Sequence, residues 1–469
     1  MDVKNITIAQ AKKDLKDKKY SSVELTNAYL ERIKKLNPKL NAFITVTEDE
    51  ALHMAKEADA KLAKGEDQAL LGMPMALKDL FLTEGIKTTA ASRVLDNYIP
   101  QYDATVVKKL KNAGAVILGK LNCDAWAHGS SGENSDFGPT KNPYDTSYVP
   151  GGSSSGSAAS IAADMALFSM GTDTGGSIRL PASFCNVVGL KPTYGRVSRF
   201  GIVAMASSLD SIGHMTKTVE DNALILNCTA GTDINDGTTP SAEVKDYTKT
   251  LKKGVKGLKI GIPKEYFIEG LDPRIKELTE KALKTLEKQG AKLVEISLPH
   301  TKYATAVYYI IMPSEVSSNL ARYDGIRYGN DRSRFGDEAK RRIMLGTFAL
   351  SAGYYDAYYK KAMQVRTLLR KDFTEAFEKV DVMITPVSPT PPFKLGEKTS
   401  DPLEMYLSDI FTVTLNLTGN PGLSVPMGFI DGLPTGMQII GPHFSEDLLY
   451  RVGYTYEQEN PLYLKKTNL

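Results

Sequence analysis

The sequence predicts an α/β fold, on three observations. Short apolar runs bounded by turn residues recur along the chain, and each follows or precedes a helical stretch. The stretches between them carry helix punctuation: oxygen-bearing caps, a proline start and glycine stops. Ser21-Ser22-Val23-Glu24 has capping-box spacing and opens a helix expected to stop before Asn37-Pro38. Thr47-Glu48-Asp49-Glu50 repeats the device ahead of a lysine- and alanine-rich helix expected to run to about Gly65. Strands are then expected at Pro74–Leu77, Ala115–Leu118 and Ala166–Met170, and later at Lys259–Ile262, Lys292–Ile296, Val380–Thr385, Leu423–Val425 and Met437–Ile440.

Between two of these strands, Asp272-Pro273 starts a helix with Ile275, Leu278, Ala282, Leu283 and Leu286 on one face, closed by Gly290. Residues 300–378 read as mainly helical, with dense aromatics at 354–359, and 387–398 as a proline-rich loop. No internal repeat or long linker divides the chain. One α/β unit over 1–469 is expected, with a helical region at about 1–65 packed on it.

Bulk properties narrow the function. A chain of 469 residues with 42% hydrophobic and 24% charged residues has ordinary globular composition and needs no covalent staples. Three cysteines, Cys123, Cys185 and Cys228, form no C-x-x-C pair and cannot all be disulfide-bonded, so a reducing cytoplasm is expected. The charged opening lacks the apolar centre of a signal peptide, and no run of about eighteen apolar residues suggests a membrane span. A net charge of +3, with scattered lysines, lacks the basic stripe of a domain that grips nucleic acid unaided.

Two glycine- and serine-rich stretches concentrate the chemistry: Gly151-Gly152-Ser153-Ser154-Ser155-Gly156-Ser157 and Gly171-Thr172-Asp173-Thr174-Gly175-Gly176-Ser177. Glycines allow close backbone approach to a ligand, and serines offer hydroxyls that attack or relay protons. Ser177 follows Ser153 by twenty-four positions, room for one helix and one strand that return both loops to one sheet edge. Neither loop contains histidine, and the chain's five histidines are dispersed.

Gly152-Ser153-Ser154-Ser155-Gly156 matches G-x-S-x-G, but the nucleophile elbow needs a strand just before it, and Tyr148-Val149-Pro150 is short and ends in proline. No phosphate-loop pattern occurs in either stretch, and no histidines or cysteines sit at metal-ligand spacing, so no nucleotide or metal site is expected in this chain.

Lysine can replace histidine as the base. Lys78 ends the apolar run Leu70–Leu77, the most apolar setting of any lysine in the first third. An ordinary lysine is neutral in only about one molecule in 2,500 at pH 7, and desolvation worth roughly 4 kcal/mol would make it a competent base.

Taken together, Lys78, the 151–157 loop and Thr172-Asp173-Thr174-Gly175-Gly176-Ser177-Ile178-Arg179 resemble the amidase signature family, and Cys185 with Gly189-Leu190-Lys191-Pro192-Thr193 extends the likeness. The resemblance implies a large mixed, twisted sheet covered by helices on both faces. It also implies a Ser–cis-Ser–Lys triad, with Ser177 as nucleophile, Ser153 as bridging serine on an unusual cis peptide and Lys78 as base. Backbone N–H groups around Thr174, Gly175, Gly176 and Ser177 would form the oxyanion hole.

The stretches 194–201, 317–329 and 349–359 are similar to the branch whose members hydrolyse glutamine inside tRNA-dependent amidotransferases. That likeness implies Arg342 for the substrate carboxylate, Asp409 for its ammonium and Tyr308 nearby. It further implies a heterotrimer in which ammonia passes to a B subunit that binds tRNA and uses ATP and Mg2+, the pair being braced by a small C subunit. The segment Asp124-Ala125-Trp126-Ala127-His128-Gly129 departs from the family's usual wording, and Ser155 stands where relatives usually carry glycine. A stand-alone amidase for another small amide and a catalytically silent scaffold remain alternatives at this level.

Overall fold

In a computed structural model of the chain, which describes every residue except Tyr328, Ser400, Asp401 and Asn468, eleven strands join into one sheet. In chain order they are β1 (Phe43–Val46), β2 (Pro74–Lys78), β3 (Val116–Leu121), β4 (Phe168–Asp173), β5 (Val188–Lys191), β6 (Ser211–Thr216), β7 (Lys259–Pro263), β8 (Lys292–Ile296), β9 (Val382–Pro386), β10 (Gly422–Ile430) and β11 (Leu433–Ile440). Their order across the sheet is β1-β3-β2-β4-β6-β5-β10-β11-β9-β7-β8. Pairing is parallel for β2 with β3 and β4, and for β7 with β8 and β9, and antiparallel elsewhere. The sheet is therefore mixed, and its central strands β2 to β6 are buried at every position. Burial on both faces is why these strands read as continuous apolar runs rather than alternating ones.

All eight expected strands are present, Lys292–Ile296 with the expected ends and the other seven with shifted ones. Three were not anticipated: β1, β5 and β6. The first of these lies in the N-terminal stretch expected to be helical and forms the sheet's edge against β3. The Ser21 capping box forms in full, with Ser21 Oγ accepting from Glu24 N–H and the Glu24 carboxylate accepting from Ser21 N–H. Its helix, Ser22–Leu40, runs past the expected stop at Asn37-Pro38. Pro38 lies in the last turn, where a missing N–H costs one terminal hydrogen bond, and Asn41 closes the end in the left-handed conformation with its N–H on Asn37 C=O.

Thr47 precedes helix Glu48–Ala63 but makes no side-chain cap; its hydroxyl donates instead to Ile117 C=O on β3. Helix Pro273–Lys288 begins on Asp272, whose side chain accepts from Arg274 N–H, as the sequence pattern demands. Within 300–378 lie helices Ala304–Asn319, Asp337–Ala349 and Lys361–Phe377. Tyr328, part of the 317–329 stretch, falls outside the described residues. Among the described residues no helix is long and apolar enough to cross a membrane.

Candidate active site

The parallel neighbours β2 and β4 end at the same edge of the sheet, the edge where α/β proteins gather ligands. Lys78 is the last residue of β2, and Thr172-Asp173 end β4. The chain between Ser153 and Ser177 makes helix Ser155–Ala162 and then β4, so both serine loops return to that edge.

Lys78 has no exposed surface, and its amine faces three hydroxyls: Ser153 Oγ at 2.8 Å, Thr172 Oγ1 at 2.9 Å and Ser154 Oγ at 3.0 Å. Burial pushes its pKa down from the usual lysine range to about 8, against the upward pull of Cys123, Asp124, Asp173 and Asp210. About one molecule in ten then carries a neutral amine at pH 7. A neutral amine donates two hydrogen bonds and accepts one. Ser154 commits its own proton to Thr172 C=O at 3.0 Å, so it can only accept from the amine. The proton that the nitrogen lone pair receives must therefore come from Ser153 or Thr172.

The Gly152–Ser153 peptide is cis. Ser177, with 8% of its surface exposed, is tied to this cluster by its carbonyl, which accepts from Ser154 N–H at 3.1 Å.

The turn that carries Ser177 is braced from several sides. Asp173 accepts from Gly176 N–H at 2.9 Å, from Ile178 N–H at 3.1 Å and from the Arg179 guanidinium at 3.0 and 3.1 Å. Burial alone would raise this carboxyl, but the Arg179 charge and hydrogen bonds hold it at about 2. Arg179 in turn reaches Asn416 and Gln438 at 2.8 and 2.9 Å. Thr412 Oγ1 donates to Gly175 C=O at 2.6 Å, and Thr174 Oγ1 donates to Asp210 at 2.7 Å. Gly176 adopts φ +138°, and a Cβ there would overlap Thr412 Oγ1, so only glycine fits. Because its N–H is already committed to Asp173, Gly176 could serve an oxyanion only as a shared donor.

Beside this turn lies a second polar cluster, formed by Tyr308, Arg342 and Asp409. Tyr308 packs its ring and hydroxyl on the Cα of Gly175, where a Cβ would come within 2.6 Å of the phenol oxygen. Tyr309 meets Tyr308 edge-on at 5.0 Å between ring centres, stacks on Tyr406 at 3.9 Å and donates to Asp409 Oδ2 at 3.0 Å. Ser130 Oγ donates to the same oxygen at 3.3 Å. Arg342 Nε binds Glu338 at 2.7 Å, and Tyr406 reaches that carboxylate at 3.3 Å.

Read without the resemblance, Arg342 and Asp409 would pass for surface charges, yet they are only 4% and 9% exposed. Burial lifts Asp409 to about 7, restrained by Tyr309, Arg342 and Ser130. An opposing pair of enclosed charges, an arginine fork and a carboxylate, matches the two charged groups of a free amino acid.

Sequence reasoning missed several participants. Ser154 and Thr172 lie inside the quoted loops but were given no contact to Lys78. Tyr309 and Ser130, which orient Asp409, carried no signal, because only the fold brings residues 130, 309 and 409 together. Glu338, which orients Arg342, lies one helical turn before it, a local spacing that went unused. Lys120, equally buried on β3, is distinguished from Lys78 by its partners: it pairs with Asp79 at 3.2 Å and donates to Phe81 C=O and Thr88. Among the described residues no group of three or more His, Cys, Asp or Glu side chains is placed to hold a metal ion.

The chain is similar to known proteins over nearly its whole length. The Amidase family matches residues 24–450. A Thermoanaerobacter pseudethanolicus protein, named as the A subunit of glutamyl-tRNA(Gln) amidotransferase, is 55% identical over 98% of this chain and 97% of its own length. The crystal structure of the Thermotoga maritima protein of the same name superposes with a TM-score of 0.85 at 44% identity, covering 98% of this chain and 96% of that one. The native peptide amidase of Stenotrophomonas maltophilia superposes with a TM-score of 0.81 at 31% identity over 97% of both chains.

Proposed function

The chain belongs to the amidase signature family, and from that premise we propose that it is the glutamine-hydrolysing A subunit of a glutamyl-tRNA(Gln) amidotransferase. The observation that carries the reading is the fully buried Lys78 amine, 2.8 Å from Ser153 Oγ, with the buried polar cluster of Tyr308, Arg342 and Asp409 beside the Gly175 turn. Full-length identity of 55% and 44% to proteins of that name, against 31% to a peptide amidase, favours this branch over a stand-alone amidase.

In this mechanism neutral Lys78 takes the proton of Ser153, Ser153 takes that of Ser177, and Ser177 Oγ attacks the side-chain amide carbon of glutamine. The tetrahedral oxyanion is met by the backbone N–H groups of Thr174, Gly175 and Ser177, with Gly176 as a shared donor; each such donor contributes about 3–4 kcal/mol. The proton held by Lys78 returns through Ser153 to the departing nitrogen, ammonia leaves, and a γ-glutamyl ester remains on Ser177. Water, deprotonated along the same relay, then releases glutamate.

Arg342 grips the substrate carboxylate and Asp409 its ammonium, with Tyr308 forming the wall over Gly175. The B subunit would receive the ammonia and amidate Glu-tRNA(Gln) with ATP and Mg2+, braced by the C subunit. The family resemblance assigns those ligands to the partner.

Two outcomes test the reading in the assembled complex. Arg342→Ala should cut kcat/KM for glutamine by about 10²- to 10³-fold, the loss of roughly 3–4 kcal/mol of charge-assisted hydrogen bonding. The same variant should hydrolyse 4-aminobutyramide, which lacks the α-carboxylate, as well as wild type does. Equal losses on both substrates would remove Arg342 from carboxylate recognition.

The second outcome is a pH profile. Because Lys78 must be neutral, kcat should rise with pH and level off above about 8, falling tenfold per unit below it. A flat profile from pH 6 to 9 would exclude a lysine base.

A further inference from the structure

Ser153 and Ser130, whose hydroxyl reaches Asp409, lie on different loops, and one buried residue bridges the two loops. Asp124 follows β3 and has no exposed surface. Its carboxylate accepts from Gly132 N–H, 3.1 Å from each oxygen, and from Asn134 N–H at 2.9 Å. Its own N–H donates to Ser153 C=O at 3.2 Å. The carboxylate also lies flat against Gly152, where any Cβ would overlap it. Gly152 N–H donates to Ser130 C=O at 2.8 Å, and Ser130 Oγ reaches Asp409. Loops 129–134 and 151–154 are thus clasped around a single side chain, with Lys78's partner at one end and Asp409's at the other.

We propose that Asp124 is a positioning residue for glutamine hydrolysis, its carboxylate fixing loop 129–134 and packing on Gly152 so that Ser153 stays on Lys78 and Ser130 on Asp409. This rests on the reading of Lys78 as base given above. An amide would substitute only in part: its oxygen could accept from both Asn134 N–H and Gly132 N–H, but a donor would replace the second oxygen that faces Gly132 N–H. The charge matters as well as the shape. Asp124 is among the groups that pull Lys78 upward, with Cys123, Asp173 and Asp210, against the burial that lowers it. Asp124 itself is lifted by burial to about 6, restrained by Asn134 and Gly132 N–H and by Lys78, with Glu133 adding to the rise, so it is ionised at neutral pH.

The test compares wild type, Asp124→Asn and Ser130→Ala in the assembled complex, measuring glutamine hydrolysis from pH 6 to 9. Asp124→Asn should lower kcat by about 10- to 100-fold, the cost of displacing a reacting group by a fraction of an ångström to an ångström. Its acidic limb should also move to lower pH, because Lys78 loses a neighbouring negative charge. Ser130→Ala should raise KM for glutamine and leave the limb in place.

A merely structural Asp124 would give slower turnover with an unshifted limb, and that result overturns the proposal, as does an Asp124→Asn enzyme with wild-type kcat. Should Asp124→Asn fail to fold, Ser130→Ala still decides: an unchanged KM breaks the link to Asp409. Absence of glutamine hydrolysis, or a flat pH profile, in wild type would instead undo the underlying reading, so the two failures are distinct.

Discussion

Ser177→Ala is expected to reduce glutamine hydrolysis by about 10⁵-fold, roughly 7 kcal/mol, while the folded protein and its assembly survive. The size follows from the site's construction. The turn at 174–177 is held by Asp173, Thr412 and Asp210 through groups other than the Ser177 hydroxyl, so removing one oxygen leaves the frame intact. Ser177 is tied to its neighbours by its backbone carbonyl, which alanine keeps. What is lost is the atom that becomes covalently bonded. Steady-state ammonia release and the melting temperature, measured side by side, check both halves. A scaffold without catalysis would show no difference from wild type.

Lys78→Met is the second large effect and has two signs. Turnover should fall by about 10³- to 10⁴-fold near pH 8, the range a positioned general base supplies. Stability should move the other way. Burial depresses the folded-state pKa of Lys78 from 10.5 to about 8, so the unfolded chain binds the proton more tightly. Stability therefore rises with pH between about 8 and 10.5, and below 8 the buried amine costs roughly 3 kcal/mol.

Methionine removes that cost and leaves two hydroxyls, Ser153 and Thr172, short of one partner each, a partial offset of about 1 kcal/mol apiece, while Ser154 keeps its bonds to Thr172. At pH 7 the variant should thus melt no lower than wild type, and the difference between them should shrink or reverse by pH 10. Calorimetry at both pH values reads this. An inactive variant that is also less stable at pH 7 would mean the amine serves structure rather than chemistry.

The two effects share one cause, a charge kept where water cannot reach it. Function is bought with stability at that position.

Much of the fold was legible in the sequence because central strands, buried on both faces, leave apolar runs that turn residues delimit. Pro74–Leu77 and Ala166–Met170 are such cases. The strands that escaped are short or diluted by polar and glycine residues. β6 reads Ser-Ile-Gly-His-Met-Thr and β5 Val-Gly-Leu-Lys, although both sit at the centre of the sheet. Their neighbours, not their own composition, make them strands: β6 pairs with β4 on one side and β5 on the other. Thr47 shows the same override, since its hydroxyl finds a sheet carbonyl and leaves the helix uncapped.

The site divides along similar lines. Lys78, Ser153 and Ser177 were visible because an apolar run ending in lysine and two histidine-free serine loops are unusual locally. Arg342 and Asp409 were visible only through resemblance, for nothing in Lys340-Arg341-Arg342 or Ser408-Asp409 signals burial. Tyr309 and Ser130, which orient Asp409, come from separate segments that no local pattern could have joined, whereas Glu338 stands four residues before Arg342, a helical spacing present in the sequence.

The most direct test is an acid quench of the complex during glutamine turnover, followed by peptide mass spectrometry. The account predicts a γ-glutamyl ester on the peptide bearing Ser177, accumulating in wild type and absent from Lys78→Met on the same timescale. An ester on Ser153 instead, or one that forms on Ser177 at the wild-type rate without the Lys78 amine, would contradict it.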